Sequence, residues 1–401
     1  VKVLVADKFE EAGLDGLRAI GCEVLYEPDL SGEKLGARLG TSGADVLVVR
    51  STKVGGPEIE PATRLALIVR AGAGVNTIDL AAASARAIAV SNCPGKNAIA
   101  VAELAFGLIL ALDRRIADQS TDLKNGAWKK AEYGKARGLA GRTLGVLGLG
   151  PIGREVIKRA HAFGMNVIAF SRSLNETSAR ELGVAQGRSI HEVAMAADIV
   201  TVHLALNKET RGLLDAAFFG AMKPGAFFVN TSRGEVVDET ALLSAVRDRG
   251  LRAGLDVFSR EPEGGAGAFD DPIAKFPSVV GTHHVGASTD QAQNAIAEET
   301  VRIVRTFKTT GQVPNAVNLA VHTPSTHLLS VQHRDRVGVL AHVFNELKTA
   351  GINIEQAENV IFSGAQAASA RIHVNREPEA AVLQRIREGC PDVLSLSVTT
   401  L

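Results

Sequence analysis

Four short stretches hold side chains that can do chemistry. The first, Gly148-Leu149-Gly150-Pro151-Ile152-Gly153, has the G-x-G-x-x-G spacing between an apolar run and a helical pattern. Its first glycine permits a tight turn, its second lets the backbone approach a pyrophosphate, and its third lets the helix pack closely on the strand. Free N–H groups at the start of that helix then favour phosphate. The second stretch, Asn230-Thr231-Ser232-Arg233-Gly234, puts an arginine just past a strand. A guanidinium there can grip a carboxylate through two parallel N–H bonds. The third runs from Asp256, at a strand end, to Glu261 in the next loop. The fourth, Thr282-His283-His284-Val285-Gly286, sets a histidine past another strand end. Each alone is compatible with a salt bridge or a satisfied loop residue. Together, at successive strand ends behind a phosphate-binding turn, they predict a hydride-transfer site.

The elements that must position these residues alternate strand and helix. Strands are expected over 1–7, 23–26, 46–49, 67–70 and 88–91, and again over 143–147, 166–170, 199–203, 226–230, 251–256 and 279–282. A long helix is expected over 290–309. From about residue 327 the rhythm changes to strand 327–332, helix 338–350, strands 352–361 and 367–374, helix 377–389 and strand 393–399. That βαββαβ order makes a small ferredoxin-like sandwich. The expected fold class is α/β: two Rossmann-like doubly wound parallel-sheet domains and a C-terminal ferredoxin-like domain. The expected division gives 1–96 with 283–315 to a discontinuous substrate-binding domain and 97–282 to a dinucleotide-binding domain. A linker follows over 316–326, then the third domain over 327–401.

Bulk composition excludes several classes of partner. Lys+Arg and Asp+Glu are equal at 44 each, so no global charge draws the chain to nucleic acid or a membrane surface. The most apolar run, 98–112, is shorter than the ~20 residues a membrane span needs. Cys22, Cys93 and Cys390 lie far apart in sequence, with neither a metal pair nor a disulfide framework, which suits a reducing cytoplasm. No metal site is expected. The first residues read as a buried strand and not as a secretory leader.

These motifs, with Arg70-Ala71-Gly72-Ala73-Gly74-Val75 and Asn92-Cys93-Pro94-Gly95-Lys96-Asn97, resemble the D-2-hydroxyacid dehydrogenases, and within them the phosphoglycerate dehydrogenases that carry a C-terminal ACT domain. The resemblance implies a catalytic set of Arg233, Glu261 and His284, oxidising D-3-phosphoglycerate to 3-phosphohydroxypyruvate at the entry to L-serine biosynthesis. His284 would be the base, Glu261 would orient its ring and stabilise the cation, and Arg233 would hold the α-carboxylate. Histidine at 284 matches the family pattern, while His283 stands where proline is usual. The implied cofactor contacts are Gly148, Gly150, Pro151, Ile152, Gly153, Ser171, Arg172, His203, Thr231 and Asp256. The implied substrate contacts are Ala73, Gly74, Val75 and Asn97, together with Arg50, Ser51 and Lys53. Those last three lie on a basic turn that either binds a phosphate or is simply solvated.

The resemblance favours NAD. Ser171 and Arg172, however, replace the acid that NAD-specific folds place on the ribose, so NADP is an alternative cofactor. An NADP-dependent glyoxylate/hydroxypyruvate reductase is the alternative enzyme. A nucleotide-sensing binding protein on a dehydrogenase scaffold is the alternative from outside enzymes. The family also implies a homodimer or homotetramer formed beside the 98–112 helix, and an L-serine effector held by His333, Asp335 and Asn353 at the interface of two paired domains.

Overall fold

The computed structural model describes residues 1–262, 267–320 and 323–401. Contacts divide them into two compact units, Val1–Asn318 and Leu319–Leu401.

The first unit contains two parallel sheets. β1 (Lys2–Val5), β2 (Glu23–Tyr26), β3 (Val46–Val49), β4 (Leu67–Arg70) and β5 (Ala89–Asn92) form one, in the order β2-β1-β3-β4-β5. Its central strands are continuous apolar runs such as Val46-Leu47-Val48-Val49, buried throughout because helices cover both faces. The other sheet holds β6 (Thr143–Leu147), β7 (Asn166–Phe170), β8 (Ala185–Gln186), β9 (Ile199–Val202), β10 (Phe227–Asn230), β11 (Arg252–Leu255) and β12 (Val279–Gly281). Their order is β12-β11-β10-β9-β6-β7-β8, which reverses direction at β6 as a doubly wound sheet does. The edge strand β8 has two residues and no periodicity to read, so it is absent from the sequence expectation.

The helix Ala98–Arg114 packs on the second sheet. Its Ala105, Leu108, Ile109 and Leu112 join the core formed by Leu144, Val146 and Val229. Most of the apolar run is thus buried within one chain, with Ile99 left exposed. The helix Asp290–Thr310 returns to the first sheet, where Ile296, Val301 and Val304 pack with Leu14, Leu17, Val3 and Val46.

Glu299 on that helix is a buried tie. It accepts from Arg302 at 2.6 and 3.0 Å and from Asn315 at 2.7 Å, and pairs with Lys96 at 3.3 Å. Residues 316–318 are not yet linker. Ala316 bridges to Ser91, Val317 donates to the Val90 carbonyl, and Asn318 bonds the Val90 N–H and the Ile88 carbonyl. At the other end of the expected linker Thr326 already pairs with Val374. Of the residues between, 321–322 lie outside the described part.

The second unit has β13 (His327–Arg334), β14 (Ile354–Ile361), β15 (Ala367–Val374) and β16 (Val393–Thr400) in the antiparallel order β14-β15-β13-β16. The helices Val339–Thr349 and Ala380–Glu388 pack Val343, Leu347, Val382 and Ile386 against Leu329, Val331, Ile372 and Val374. Among the described residues, no helix is long and apolar enough to cross a membrane.

Candidate active site

The sheet β12-β11-β10-β9-β6-β7 delivers the predicted residues to one edge. Leu147 is level with Val202 and Phe170, Val202 with Asn230, and Asn230 with Leu255. Asp256, Thr231, His203, Gly148 and Ser171 therefore follow one another along the carboxyl ends of the strands, where α/β sheets bind ligands.

Gly148 has φ +98, and a Cβ there would lie 2.4 Å from the His203 carbonyl oxygen. A Cβ on Gly153 would come within 2.1 Å of the Gly148 carbonyl oxygen, so the helix Pro151–Ala162 can start this close to the turn only with glycine at that position. Nothing lies within 4 Å of a Cβ built on Gly150, at the N-terminus of that helix. On the same edge Thr231 Oγ1 and His203 Nδ1 are buried without a partner among the described residues. An open cradle, a helix N-terminus and two orphaned polar atoms in a row fit a dinucleotide. Burial pushes His203 down to about 3, so its ring is neutral; Nε2 lies 3.0 Å from Thr201 Oγ1.

The three catalytic candidates come from the adjacent ends of β10, β11 and β12. Asn230 shapes the first loop: its Oδ1 accepts from the N–H and hydroxyl of Ser232, and its side-chain N–H donates to the Arg233 carbonyl. Gly234 then lets this loop touch the next one. A Cβ there would be 2.2 Å from the Phe258 carbonyl carbon and 2.4 Å from the Ser259 nitrogen, so any side chain would push the Glu261 loop away from Arg233. Glu261 Oε1 accepts from the Phe258 N–H at 2.9 Å, and its Oε2 lies 2.7 Å from His284 Nδ1. Burial would raise the Glu261 carboxyl. The bonds from His284 and the Phe258 N–H, with the charges of His284 and Arg233, hold it below its ordinary value.

Asp256 has a different place from the one expected. It is 1% exposed. Oδ1 accepts from Thr282 Oγ1 and the Val285 N–H, and Oδ2 from the Gly286 N–H, while the His284 N–H donates to its carbonyl. It thus builds the loop that carries His284 and is spent on the protein rather than presented to a cofactor. His284 itself sits at φ +52, in the left-handed region that histidine visits more readily than most side chains.

Arg233 reaches the first sheet. Its guanidinium donates to Asn76 Oδ1 at 3.4 Å and to the Ser232 carbonyl at 2.6 Å. A Cβ on Gly74 would be 2.4 Å from Arg233 Nη2, so the predicted glycine loop and the predicted arginine do meet. Asn92 fixes that loop by donating to the Ala73 carbonyl at 2.6 Å. Val75 is half-buried beside it. Asn97 stands at the start of the helix Ala98–Arg114 but makes no cap bond; its Oδ1 is buried and unpartnered among the described residues.

Two residues escaped the sequence reading. Asp7, just past β1, accepts the N–H groups of Arg50, Ser51 and Thr52 at 2.6, 3.0 and 3.0 Å, and the Thr52 hydroxyl at 3.0 Å. The Ser51 hydroxyl also points to it at 3.4 Å, so Ser51 serves the loop and not a ligand. Lys53 lies farther along the same loop and is exposed. Arg70, at the end of β4, has a buried Nε without a partner among the described residues. Burial, with the charges of Arg233 and Arg50, pulls it down to about 10. It remains a cation near two others, a cluster that an anion would relieve. Its signal was a charged residue closing an otherwise apolar strand.

Within one chain His333, Asp335 and Asn353 do not line one pocket. His333 is 2% exposed, with Nδ1 2.8 Å from the Arg334 carbonyl oxygen and Nε2 3.1 Å from Asn359 Oδ1. Both ring nitrogens are thus engaged within the chain. Asn353 lines a shallow pocket with Phe344, Lys348, Gly351, Ile352 and Ile354, and neither His333 nor Asp335 lines it. Among the described residues no group of three or more His, Cys, Asp or Glu could hold a metal ion.

Comparison with known proteins gives the chain a family. Residues 106–286 match the family model described as D-isomer specific 2-hydroxyacid dehydrogenase, NAD binding domain. The TT0316 protein of Thermus thermophilus has a crystal structure that superposes with TM-score 0.70 and 33% identity, covering 79% of this chain and 100% of that one. The chain belongs to the D-isomer specific 2-hydroxyacid dehydrogenase family. A Methanocaldococcus jannaschii protein named D-3-phosphoglycerate dehydrogenase is 41% identical over 311 residues, covering 76% of this chain and 58% of that one. A Bacillus subtilis protein of the same name is 38% identical over 325 residues, covering 80% and 60%. The chain thus spans about three fifths of the length of these curated relatives. The NAD+-bound 3-phosphoglycerate dehydrogenase of Entamoeba histolytica superposes with TM-score 0.66 at 27% identity, covering 80% of this chain and 99% of that one.

Proposed function

We propose that this chain is a nicotinamide-dependent D-2-hydroxyacid dehydrogenase that oxidises D-3-phosphoglycerate to 3-phosphohydroxypyruvate, the first step of L-serine synthesis. The observation that carries the reading is the 2.7 Å contact between His284 Nδ1 and Glu261, beside an arginine anchored on the glycine loop of the other sheet. Glu261 keeps the proton on Nδ1, which leaves the Nε2 lone pair free to take the substrate hydroxyl proton. Arg233 holds the carboxylate and polarises the forming carbonyl oxygen. Arg50 and Arg70 offer charge to a phosphate. A bound nicotinamide would accept the hydride that leaves the same carbon. Gly148, Gly150, Gly153, His203 and Thr231 are the residues to hold that cofactor.

Besides the exposed side of the 98–112 helix, where Ile99 is 57% exposed, a second surface supports a homodimer or homotetramer. The helices Ile116–Lys124 and Lys130–Tyr133 have no buried residue, and Ile116, Leu123 and Trp128 stand exposed, Trp128 at 79%. The second unit is read as an ACT-type regulatory domain on its strand order, with L-serine taken beside Asn353. A cytoplasmic location follows from the same reading.

The deciding assay supplies D-3-phosphoglycerate with NAD+ or NADP+, and glyoxylate or hydroxypyruvate with the reduced cofactors. Phosphoglycerate turnover that His284→Gln abolishes supports the proposal. Glyoxylate or hydroxypyruvate as the preferred substrate gives the reductase, which Ser171-Arg172 favours. Dinucleotide binding without any turnover gives a sensor. Rates measured against rising L-serine test the effector, and a flat response rejects it.

A further inference from the structure

We propose that Asn92 and Asn315 are positioning residues for the reaction, holding the Ala73–Gly74 peptide so that its N–H faces the substrate carboxylate, an inference that rests on the dehydrogenase reading above. Asn92 closes β5, level with Arg70 at the end of β4. Its side-chain N–H donates to the Ala73 carbonyl at 2.6 Å, and the next residue, Cys93, donates its N–H to the Gly72 carbonyl at 2.9 Å. The glycine loop is thus held from behind at two successive carbonyls. A trans peptide is planar, with its C=O and N–H on opposite sides. No described peptide bond is cis. The Ala73 carbonyl turned to Asn92 therefore turns the Gly74 N–H away from it. That N–H makes no hydrogen bond among the described residues. Arg233 Nη2 stands beside the same residue, where a Cβ on Gly74 would point. A free backbone donor next to a guanidinium suits a carboxylate.

Asn92 is itself held from the other side. β5 is the outer strand of its sheet, and residues 314–318 run along its edge. The Ser91 hydroxyl donates to the Pro314 carbonyl at 2.6 Å, Val317 donates to the Val90 carbonyl at 2.8 Å, and Asn318 Oδ1 accepts the Val90 N–H at 2.7 Å. An edge strand otherwise shows unpaired N–H and C=O groups, and this strap satisfies them. It reaches Asn92 through Asn315, whose side-chain N–H groups donate to the Asn92 carbonyl at 3.2 Å and to Glu299 Oε1 at 2.7 Å. Asn315 sits at φ +56, a left-handed conformation that asparagine tolerates and that aims its amide at both acceptors. A continuous line therefore runs from the buried Glu299 carboxylate through Asn315 and Asn92 to the Ala73–Gly74 peptide. Its residues belong to the first sheet and the segments packed on it, and none to the strand ends that carry the nucleotide cradle.

The test is calorimetric binding of D-3-phosphoglycerate, and of glycerol 3-phosphate, which lacks the carboxylate, to the full chain, to Asn92→Ala, to Asn315→Gly and to the double variant. Glycine keeps the left-handed backbone at 315 and removes only the amide. Asn92→Ala should bind phosphoglycerate about tenfold more weakly, the loss expected when one hydrogen bond to a charged group is misdirected. It should bind glycerol 3-phosphate as the wild type does. Asn315→Gly should show a smaller loss of the same kind, and the double variant should be no weaker than Asn92→Ala, because Asn315 acts through Asn92. Where Asn92→Ala does not fold, Asn92→Leu keeps the size of the side chain without its donor and takes its place. Equal losses for both ligands, additive losses, or an unchanged affinity for phosphoglycerate overturn the inference. The dehydrogenase reading then still stands if the wild type oxidises phosphoglycerate. The expected losses without any turnover overturn that reading alone, and binding of neither ligand overturns both.

Discussion

The first unit and the second each carry a predicted small-molecule site, and only the first brings its predicted residues together within one chain. In the parallel sheet every strand ends at the same edge, so residues one βα unit apart in sequence arrive side by side. Arg233, Glu261 and His284 follow β10, β11 and β12, which are consecutive neighbours. In the antiparallel sheet β13 and β14 are separated by β15, so the His333 strand and the strand that follows Asn353 do not pair. Period two also decides His333's direction: it shares parity with the buried Leu329 and Val331 and turns inward with them. A motif read along a chain is thus far more informative in one architecture than in the other.

The largest effect expected from breaking this comparison is at His284. His284→Gln should lower kcat/KM by about 10²–10⁴, the usual worth of a general base, with little change in melting temperature. A mild loss would mean that another group takes the proton. Asp256→Asn comes next, because it disturbs the His284 loop from beneath. It should lower kcat by about 10–100-fold and destabilise the chain by about 1–3 kcal/mol. A variant that instead raises only the KM for cofactor would return Asp256 to the nucleotide.

Asp7→Asn tests the opposite wall. With the Arg50 loop loosened, the KM for a phosphorylated substrate should rise about tenfold while kcat stays near wild type. An unchanged KM would leave Asp7 a merely structural tie.

The smallest effects concern stability. His333→Ala should cost about 1–2 kcal/mol through its lost bonds and leave turnover unchanged. A serine response abolished with an unaltered melting curve would reinstate it as a ligand. Glu299 is held down to about 2, chiefly by its bonds from Arg302. A depressed carboxyl contributes stability in full above its unfolded value of about 4.3, and loses it as pH falls through the folded value. Denaturant midpoints of wild type and Glu299→Gln should therefore differ near neutral pH and converge on acidification below about 4. A constant gap would mean the tie works by packing alone.

Much of the first unit was legible because its signals are local. Apolar four-residue runs, glycine turns and charged residues just past them recur with every βα unit, and strand and helix types follow directly. The two-residue β8 has too little sequence to show a period. Asp7 and Arg70 were missed because each looks like an ordinary residue at a strand end. Their meaning lies in what sits opposite: three N–H groups from another loop for Asp7, and two other arginines for Arg70.

Residue types and their spacing by themselves determined the α/β alternation and the phosphate turn; the trio of arginine, carboxylate and imidazole came from the family resemblance that those motifs carry. Only the tertiary structure decided that Asp256 builds the loop under His284 and that most of the 98–112 run packs on the second sheet of the same chain. The physical reason is that backbone preference and hydrophobic period act between near neighbours. Which buried polar group satisfies which depends on segments that meet only after the sheets have closed.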